Sequence, residues 1–192
     1  DTIQFATQRW TDEQLQSHLV AAGKLTQIVK EAFAYIGEQL SAGPTEHDVA
    51  EFIRRHFREG GLEVTDGPVV AANRHASDPH FEPTPQNSVA LCKGDWLLID
   101  LWSRVDGADS MFADITWVAY VGDQVPPEHQ AVFDAVTGGR DAAIEAVESA
   151  FAEGRTLQGW EVDAVARDFI SAAGFGDYFN HRLGHSLGRE VH

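Results

Sequence analysis

Two aspartates and a histidine-rich segment are the residues of this 192-residue chain whose types and spacing could do chemistry. Asp100 follows the apolar run WLLI and Asp114 opens DITWVAYV, so each carboxylate is expected at an edge of sheet between hydrophobic flanks. A buried, unpaired carboxylate is costly, so a cation, a hydrogen-bond donor or solvent must accompany each one. On one reading both are solvated turn or strand-end residues. On the other they are two oxygen ligands facing across a hairpin, set to hold divalent ions with His185 as a nitrogen donor. The segment NHRLGHSLGREVH, residues 180–192, holds His181, His185 and His192, three of the nine histidines in the chain. Its glycines favour a loop or strand over a helix. In an extended segment, His185 and His192 face opposite sides unless Gly188 supplies a bend.

The elements that must position these residues are clearly marked. TDEQ at Thr11–Gln14 fits a capping box, and Leu15, Leu19, Ala22, Ile28, Ala32, Phe33, Ile36 and Leu40 follow at near-helical spacing. TEHD at Thr45–Asp48 starts a second helix with Val49, Phe52, Ile53 and Phe57 on one face and Gly60 or Gly61 as its stop. GPVVAAN, NSVAL, DWLLIDLWSRV and FADITWVAYVG read as strands of a small antiparallel sheet, with a Lys93-Gly94 turn between the second and third. After Pro126-Pro127 the chain returns to helix to about residue 152, loosened by Gly138-Gly139, and a further helix runs from about Gly159 to Ala173.

The second pair of helices resembles the first. An offset of 113 positions lays Val49 on Val162, Phe52 on Val165, Ile53 on Ala166, Phe57 on Ile170, Gly61 on Gly174 and Leu62 on Phe175. The same offset brings His80 to within one residue of His192. Amphipathic helices share such patterns readily, so the match alone leaves a true internal duplication open. A duplicated αβ half would need a second hairpin, and the expectation is that this chain is missing it.

Composition excludes several classes of function. Thirty Asp and Glu against fourteen Lys and Arg give a formal charge of -16, which opposes nucleic acid and anionic membrane surfaces as partners. Cys92 is the single cysteine, so no internal disulfide forms, and no apolar run is long enough for a membrane span. A cytoplasmic protein, or a piece of one, is expected.

LLIDLWSRVDGADSMFADITWVAYVG resembles the paired-Asp hairpin of the pita-bread metallopeptidases, the family of methionine aminopeptidase, aminopeptidase P, prolidase and creatinase. HRLGHSLGREVH is similar to their metal-binding His segment, and DPHFEPTPQN to the stretch carrying their substrate-side histidine. The resemblance implies an α+β pita-bread fold, two pseudo-symmetric halves around an antiparallel sheet, with the second half incomplete. It implies residues 1–10 as a linker from an N-terminal domain and 11–192 as a catalytic domain without its C-terminal hairpin. By the same resemblance Asp100 chelates one metal, Asp114 bridges two and His185 supplies the imidazole, while His80 and His192 contact substrate or the tetrahedral intermediate. His181 reads as a structural neighbour or a substrate contact. His75 reads as loop surface, with a substrate contact as the alternative, and the four histidines on predicted helices carry no role.

The chain departs from the family pattern at two tryptophans: Trp102 stands where Gly is frequent and Trp117 where Arg is common. Trp102 is the candidate aromatic wall of the site, whereas Trp96 and Trp117 read as core. The two glutamates that complete the family's dinuclear centre are not among these motifs, so the chain alone is expected to bind metal weakly and to turn over little.

The resemblance therefore implies a metallo-aminopeptidase or dipeptidase that removes the N-terminal residue of peptides before proline, by a metal-bridged hydroxide. Two divalent ions are expected, Mn first, with Co, Zn or Fe as alternatives, and the assembly is expected to be a homodimer. The alternatives are a metal-free creatinase-like hydrolase and a non-catalytic peptide-binding module on the same fold.

Overall fold

The computed structural model describes residues 9–63, 66–78 and 80–191. The chain divides into two compact units, one running to Asp123 and including the residues from Ser186 on, the other Gln124–His185.

In the first unit, helix α1 (Asp12–Gln39) starts at a reciprocal capping box: Gln14 N–H donates to the Thr11 hydroxyl, and Thr11 N–H donates to the Gln14 side chain. Its buried stripe is Ala21, Leu25, Ile28, Val29, Ala32 and Ile36. Leu15 and Leu19, expected on that stripe, are 42% and 51% exposed. Helical phase explains the difference. Leu15 and Leu19 lie about 80° and 120° round the helix from Leu25, and in those turns Ser17 and His18 face inward instead, Ser17 Oγ accepting from Met111 N–H at 3.0 Å and His18 Nδ1 lying 2.7 Å from Phe112 O.

Helix α2 (Glu46–Glu59) opens on the TEHD box and buries Val49, Ala50, Ile53 and Phe57. Its partly buried Phe52 stacks on Tyr35, with ring centroids 4.5 Å apart. Strands β1 (Val69–Ala72), β2 (Trp96–Ser103) and β3 (Ala113–Tyr120) form one antiparallel sheet in that order. Along β2, Leu97, Ile99, Leu101 and Ser103 are buried while Trp96, Leu98, Asp100 and Trp102 are half-buried, a strict alternation of faces. Leu97, Ile99 and Leu101 join Val70 and Ala72 of β1 with the α1 and α2 stripes in a single core.

NSVAL, expected as a strand, makes only the isolated bridge Thr45↔Ala90. Its amides are taken by the start of α2 instead: Leu91 N–H donates to Pro44 O at 2.8 Å and Val89 N–H to the Glu46 carboxylate at 3.0 Å.

The second unit contains α3 (Pro127–Ala152), α4 (Gly159–Ala172) and a 3-10 turn, Gly176–Tyr178, and no strand among its described residues. Gly138-Gly139 does not loosen α3, which runs unbroken for 26 residues. The glycines make room for α4: a Cβ on Gly138 would strike the Phe169 ring, and one on Gly139 would lie 3.0 Å from the Ile170 side chain and 3.2 Å from the Ala166 carbonyl.

The offset of 113 is a property of the structure. Displaced by it, Glu46–Glu59 becomes 159–172, the extent of α4. Both helices begin with a capping box, Thr45 with Asp48 and Gln158 with Glu161. Both end on a glycine in the left-handed region, Gly61 at φ 64° and Gly174 at φ 89°. The next amide then returns to the helix in each case, Leu62 N–H to Phe57 O and Phe175 N–H to Ile170 O. Arg54 and Arg167, also 113 apart, each donate to backbone carbonyls beyond their helix, Gly67 O in the first unit and Phe179 O and His181 O in the second.

The Thr45 cap yields a stability prediction with a defined pH dependence. Replacing Thr45 by Ala removes the hydroxyl and is expected to cost about 1 kcal/mol at neutral pH. The Asp48 carboxyl is held below its ordinary value first by the Thr45 backbone N–H and then by the Thr45 hydroxyl. A depressed folded pKa stabilises above the unfolded pKa, and that contribution is lost as pH falls through the folded one. The gap between wild type and Thr45→Ala in urea melts is therefore expected to narrow across that acid window. A gap independent of pH contradicts the role given to the hydroxyl.

Candidate active site

The face of the sheet turned away from α1 and α2 carries the two aspartates. In the β2–β3 register Asp100 lies opposite Thr116 and Trp102 opposite Asp114. Cross-strand partners point to the same face, so Asp100, Trp102, Asp114 and Thr116 share one surface with the two carboxylates on a diagonal. Such diagonal neighbours lie about 7–8 Å apart in the backbone, close enough for carboxylates to lean towards a common point. Thr116 Oγ1 donates to Asp100 Oδ1 at 2.7 Å, which fixes the rotation of that carboxylate and leaves Oδ2 to other partners. Val69 of β1 extends the row on the far side of Asp100. The Trp102 ring lies flush against the backbone of Gly67, where a Cβ would meet it at 2.9 Å, and its Nε1–H points to Asp66 Oδ1 at 3.3 Å.

His80 sits exposed on the long connection between β1 and β2. Its backbone N–H donates to Asp78 Oδ1 at 3.0 Å, and the next residue, Phe81, is buried. The residues from Ser186 on reach the start of β3: Phe112 N–H donates to Gly188 O at 2.9 Å, and Arg104 Nη1 donates to Arg189 O at 2.9 Å. His192 lies outside the described residues.

In the second unit, Asp163 and Arg167 of α4 hold the approach to His185. Arg167 pairs with Asp163 at 2.9 Å, lies over the Phe179 ring at 4.3 Å and donates to Phe179 O and His181 O. Asp163 Oδ1 accepts from Leu183 N–H at 2.7 Å. The Asp163 carboxyl is held below its ordinary value by the Arg167 guanidinium and then by the Leu183 amide. His181 stands edge-on to Phe179, and its Nδ1 lies 2.8 Å from Arg182 O. His185 is an exposed residue of the irregular stretch that follows.

Residues 21–192 match metallopeptidase family M24. The chain belongs to metallopeptidase family M24. It is similar to the Xaa-Pro dipeptidase of Lactobacillus helveticus, 34% identical over 164 residues that make up 84% of this chain and 41% of that protein. The Xaa-Pro dipeptidase of Pyrococcus furiosus is 30% identical over 171 residues, 88% of this chain and 45% of that protein. The crystal structure of an X-Pro aminopeptidase from Thermotoga maritima superposes with a TM-score of 0.79 at 25% identity, over the whole of this chain and 50% of that one. This M24 chain thus spans about half the length of the relatives it matches, and its fold is the pita-bread fold of those structures.

Set against the sequence, the M24 chain corrects three placements. Asp100 is not at a sheet edge; it lies on the central strand, and only Asp114 is on an edge strand. Trp117 is not core, being 40% exposed on edge strand β3, and Trp96 is only half-buried. His75 is not loop surface: its side chain is 14% exposed and lies 2.9 Å from Glu46, a carboxylate with no exposure at all. Among the described residues, no three His, Cys, Asp or Glu side chains form a cage that could hold a metal ion. What the sheet itself offers is the pair of oxygen donors, Asp100 and Asp114. That donor chemistry fits a hard or borderline divalent ion and needs ligands from outside the sheet to complete it. Also among the described residues, no helix is long and apolar enough to cross a membrane.

The residue missed from sequence is Glu46. Its only signal was an acidic residue in the first turn of a helix, which helix dipoles favour everywhere, so nothing distinguished it from the exposed Asp12 or Glu13.

Proposed function

We propose that the full-length protein is a metal-dependent Xaa-Pro peptidase, an aminopeptidase or dipeptidase that releases the N-terminal residue preceding proline. The observation that carries this reading is the shared face of Asp100 and Asp114, set diagonally across β2 and β3 in a chain of a metallopeptidase family. The preference for proline rests on the names of its relatives, two of them Xaa-Pro dipeptidases.

In this reading residues 11–192 belong to the catalytic domain and residues 1–10 to a linker. Asp100, Asp114 and His185 would hold part of a pair of divalent ions, Mn being the first candidate. When bound, such ions lower the pKa of water towards neutrality and polarise the scissile carbonyl. The remaining work falls to side chains. Asp100 is kept in one orientation by Thr116, which favours a single ligand geometry. His80 and His192 donate hydrogen bonds to the oxygen that gains negative charge, and Trp102 and His181 bound the space for the substrate side chain. A cytoplasmic, homodimeric protein belongs to the same reading, and the single cysteine suits a reducing compartment.

The test is hydrolysis of paired peptides, Xaa-Pro and Xaa-Ala, by full-length protein supplied in turn with Mn, Co and Zn. Release of the first residue from the Xaa-Pro member is expected, and its loss on chelation. Cleavage of Xaa-Ala alone rejects the proline preference, and silence on both with every metal rejects the peptidase reading.

A further inference from the structure

The connection that carries His80 leaves the sheet after Ala72, passes the start of α2 at Val89 and rejoins the sheet only at Trp96, and both Ala72 and Val89 fasten to one buried side chain. Glu46, in the first turn of α2, is fully buried. Ala72 N–H donates to its Oε1 at 2.6 Å and Val89 N–H to its Oε2 at 3.0 Å. His75 Nδ1 lies 2.9 and 3.0 Å from the same two oxygens, and facing a carboxylate it acts as the donor. His75 in turn stacks on Phe81, with centroids 4.2 Å apart and planes inclined by 22°. Phe81 is the residue next to His80. On the other side of the loop, His47, the neighbour of Glu46, lies 3.3 Å from Pro83 O.

All three donors to Glu46 thus come from the exit, the first turn and the later part of a single connection. A carboxylate needed only to cap α2 would not require them, since the helix already has the Thr45–Asp48 box. A buried carboxylate is tolerated only where donors satisfy it, and here those donors define the loop's conformation. From this we infer that Glu46 is a positioning residue, whose buried carboxylate acts through Ala72, Val89 and the His75–Phe81 stack to hold His80 where it meets the substrate. The inference rests on the substrate-side role of His80 in the peptidase reading above.

The test is a double-variant cycle in the metal-loaded full-length enzyme, with Glu46→Gln, His80→Ala and the pair assayed on an Xaa-Pro peptide. Gln keeps the shape but turns an amide N–H2 towards backbone N–H donors. Glu46→Gln is expected to lower kcat about 10–100-fold with KM nearly unchanged, the pattern of a group felt in the transition state. Made on top of His80→Ala, it is expected to cost less than about twofold more, because the residue it positions is gone. Losses that multiply in the double variant overturn the proposal and leave the peptidase reading intact.

Two measurements stand apart from turnover. Amide exchange at Ala72 and Val89 is expected to quicken about tenfold or more in Glu46→Gln, with Leu25 and Val29 of α1 unaffected. The His80 ring resonances are expected to broaden or split. Unchanged exchange together with an unchanged His80 spectrum overturns the proposal whether or not the enzyme cleaves Xaa-Pro peptides, whereas an inactive wild type with these changes present removes only the peptidase reading.

Should Glu46→Gln fail to fold, His75→Phe serves in its place, since it keeps the ring stack and loses the N–H. It is expected to couple to His80→Ala in the same way, and His75→Asn, which restores a donor, to recover activity over His75→Phe. Additive losses for His75→Phe, or no recovery with His75→Asn, count against the proposal.

Discussion

Asp114→Asn in the full-length protein is expected to lower Xaa-Pro cleavage by more than about 100-fold and to reduce the bound divalent metal found by elemental analysis. Loss of a partner that merely orients a metal ligand typically costs about 10–100-fold in affinity or activity, so loss of a carboxylate that would itself be a ligand in the proposed reading should exceed that range. The substitution is nearly isosteric and falls on the half-buried open face of edge strand β3, away from the core residues Ala113 and Ile115 that flank it. Stability is accordingly expected to stay within about 0.5 kcal/mol of wild type, as for substitutions that break no packing. That combination separates the metal role from its plain alternative. A solvated strand-edge aspartate would lose neither metal nor activity, and a purely structural one would lose stability along with both. A variant with full metal content and full turnover would remove Asp114 from the site and with it the basis of the peptidase reading.

What the sequence showed and what it hid divide along physical lines. Capping boxes are local, so Thr11 and Thr45 could be placed from four residues each, and the apolar period of α2 located its buried face, whereas WLLI is apolar on both faces and left that of β2 open. The 113-residue offset was legible through Val49, Phe57 and Gly61. The structure adds to it the Arg54–Arg167 correspondence, which depends on where two side chains reach beyond their own helices. Positions set by tertiary reach were not legible. Leu15 has near-helical spacing but lies off the buried face, and NSVAL has strand composition but spends its amides on Pro44 and Glu46. Gly138 and Gly139 looked like weak points because their meaning lay in Phe169 and Ile170, some thirty residues away. In the site, residue type and order indicated Asp100 and Asp114. The diagonal that unites them follows only from the β2–β3 register, and Glu46 became visible only through three donors far from it in sequence.

Leu101→Ala is expected to do the opposite of Asp114→Asn. Leu101 has no exposure and faces the helices, between Asp100 and Trp102, which face the other way. Truncating a buried leucine costs about 2–5 kcal/mol through lost transfer energy and the cavity left behind. Set against a typical stability of about 5–15 kcal/mol, that is a large share. The urea midpoint should fall with little change in slope, since the surface exposed on unfolding is nearly the same. The carboxylates on the opposite face keep their register through the β2–β3 ladder, so the folded fraction should retain its metal affinity and its turnover per folded molecule. Because strand side chains alternate with a period of two, a one-residue slip of β2 would exchange the two outcomes. A Leu101→Ala protein of near-wild-type stability that no longer binds metal would mean that β2 presents its other face to the site, and that Asp100 and Asp114 do not share a surface.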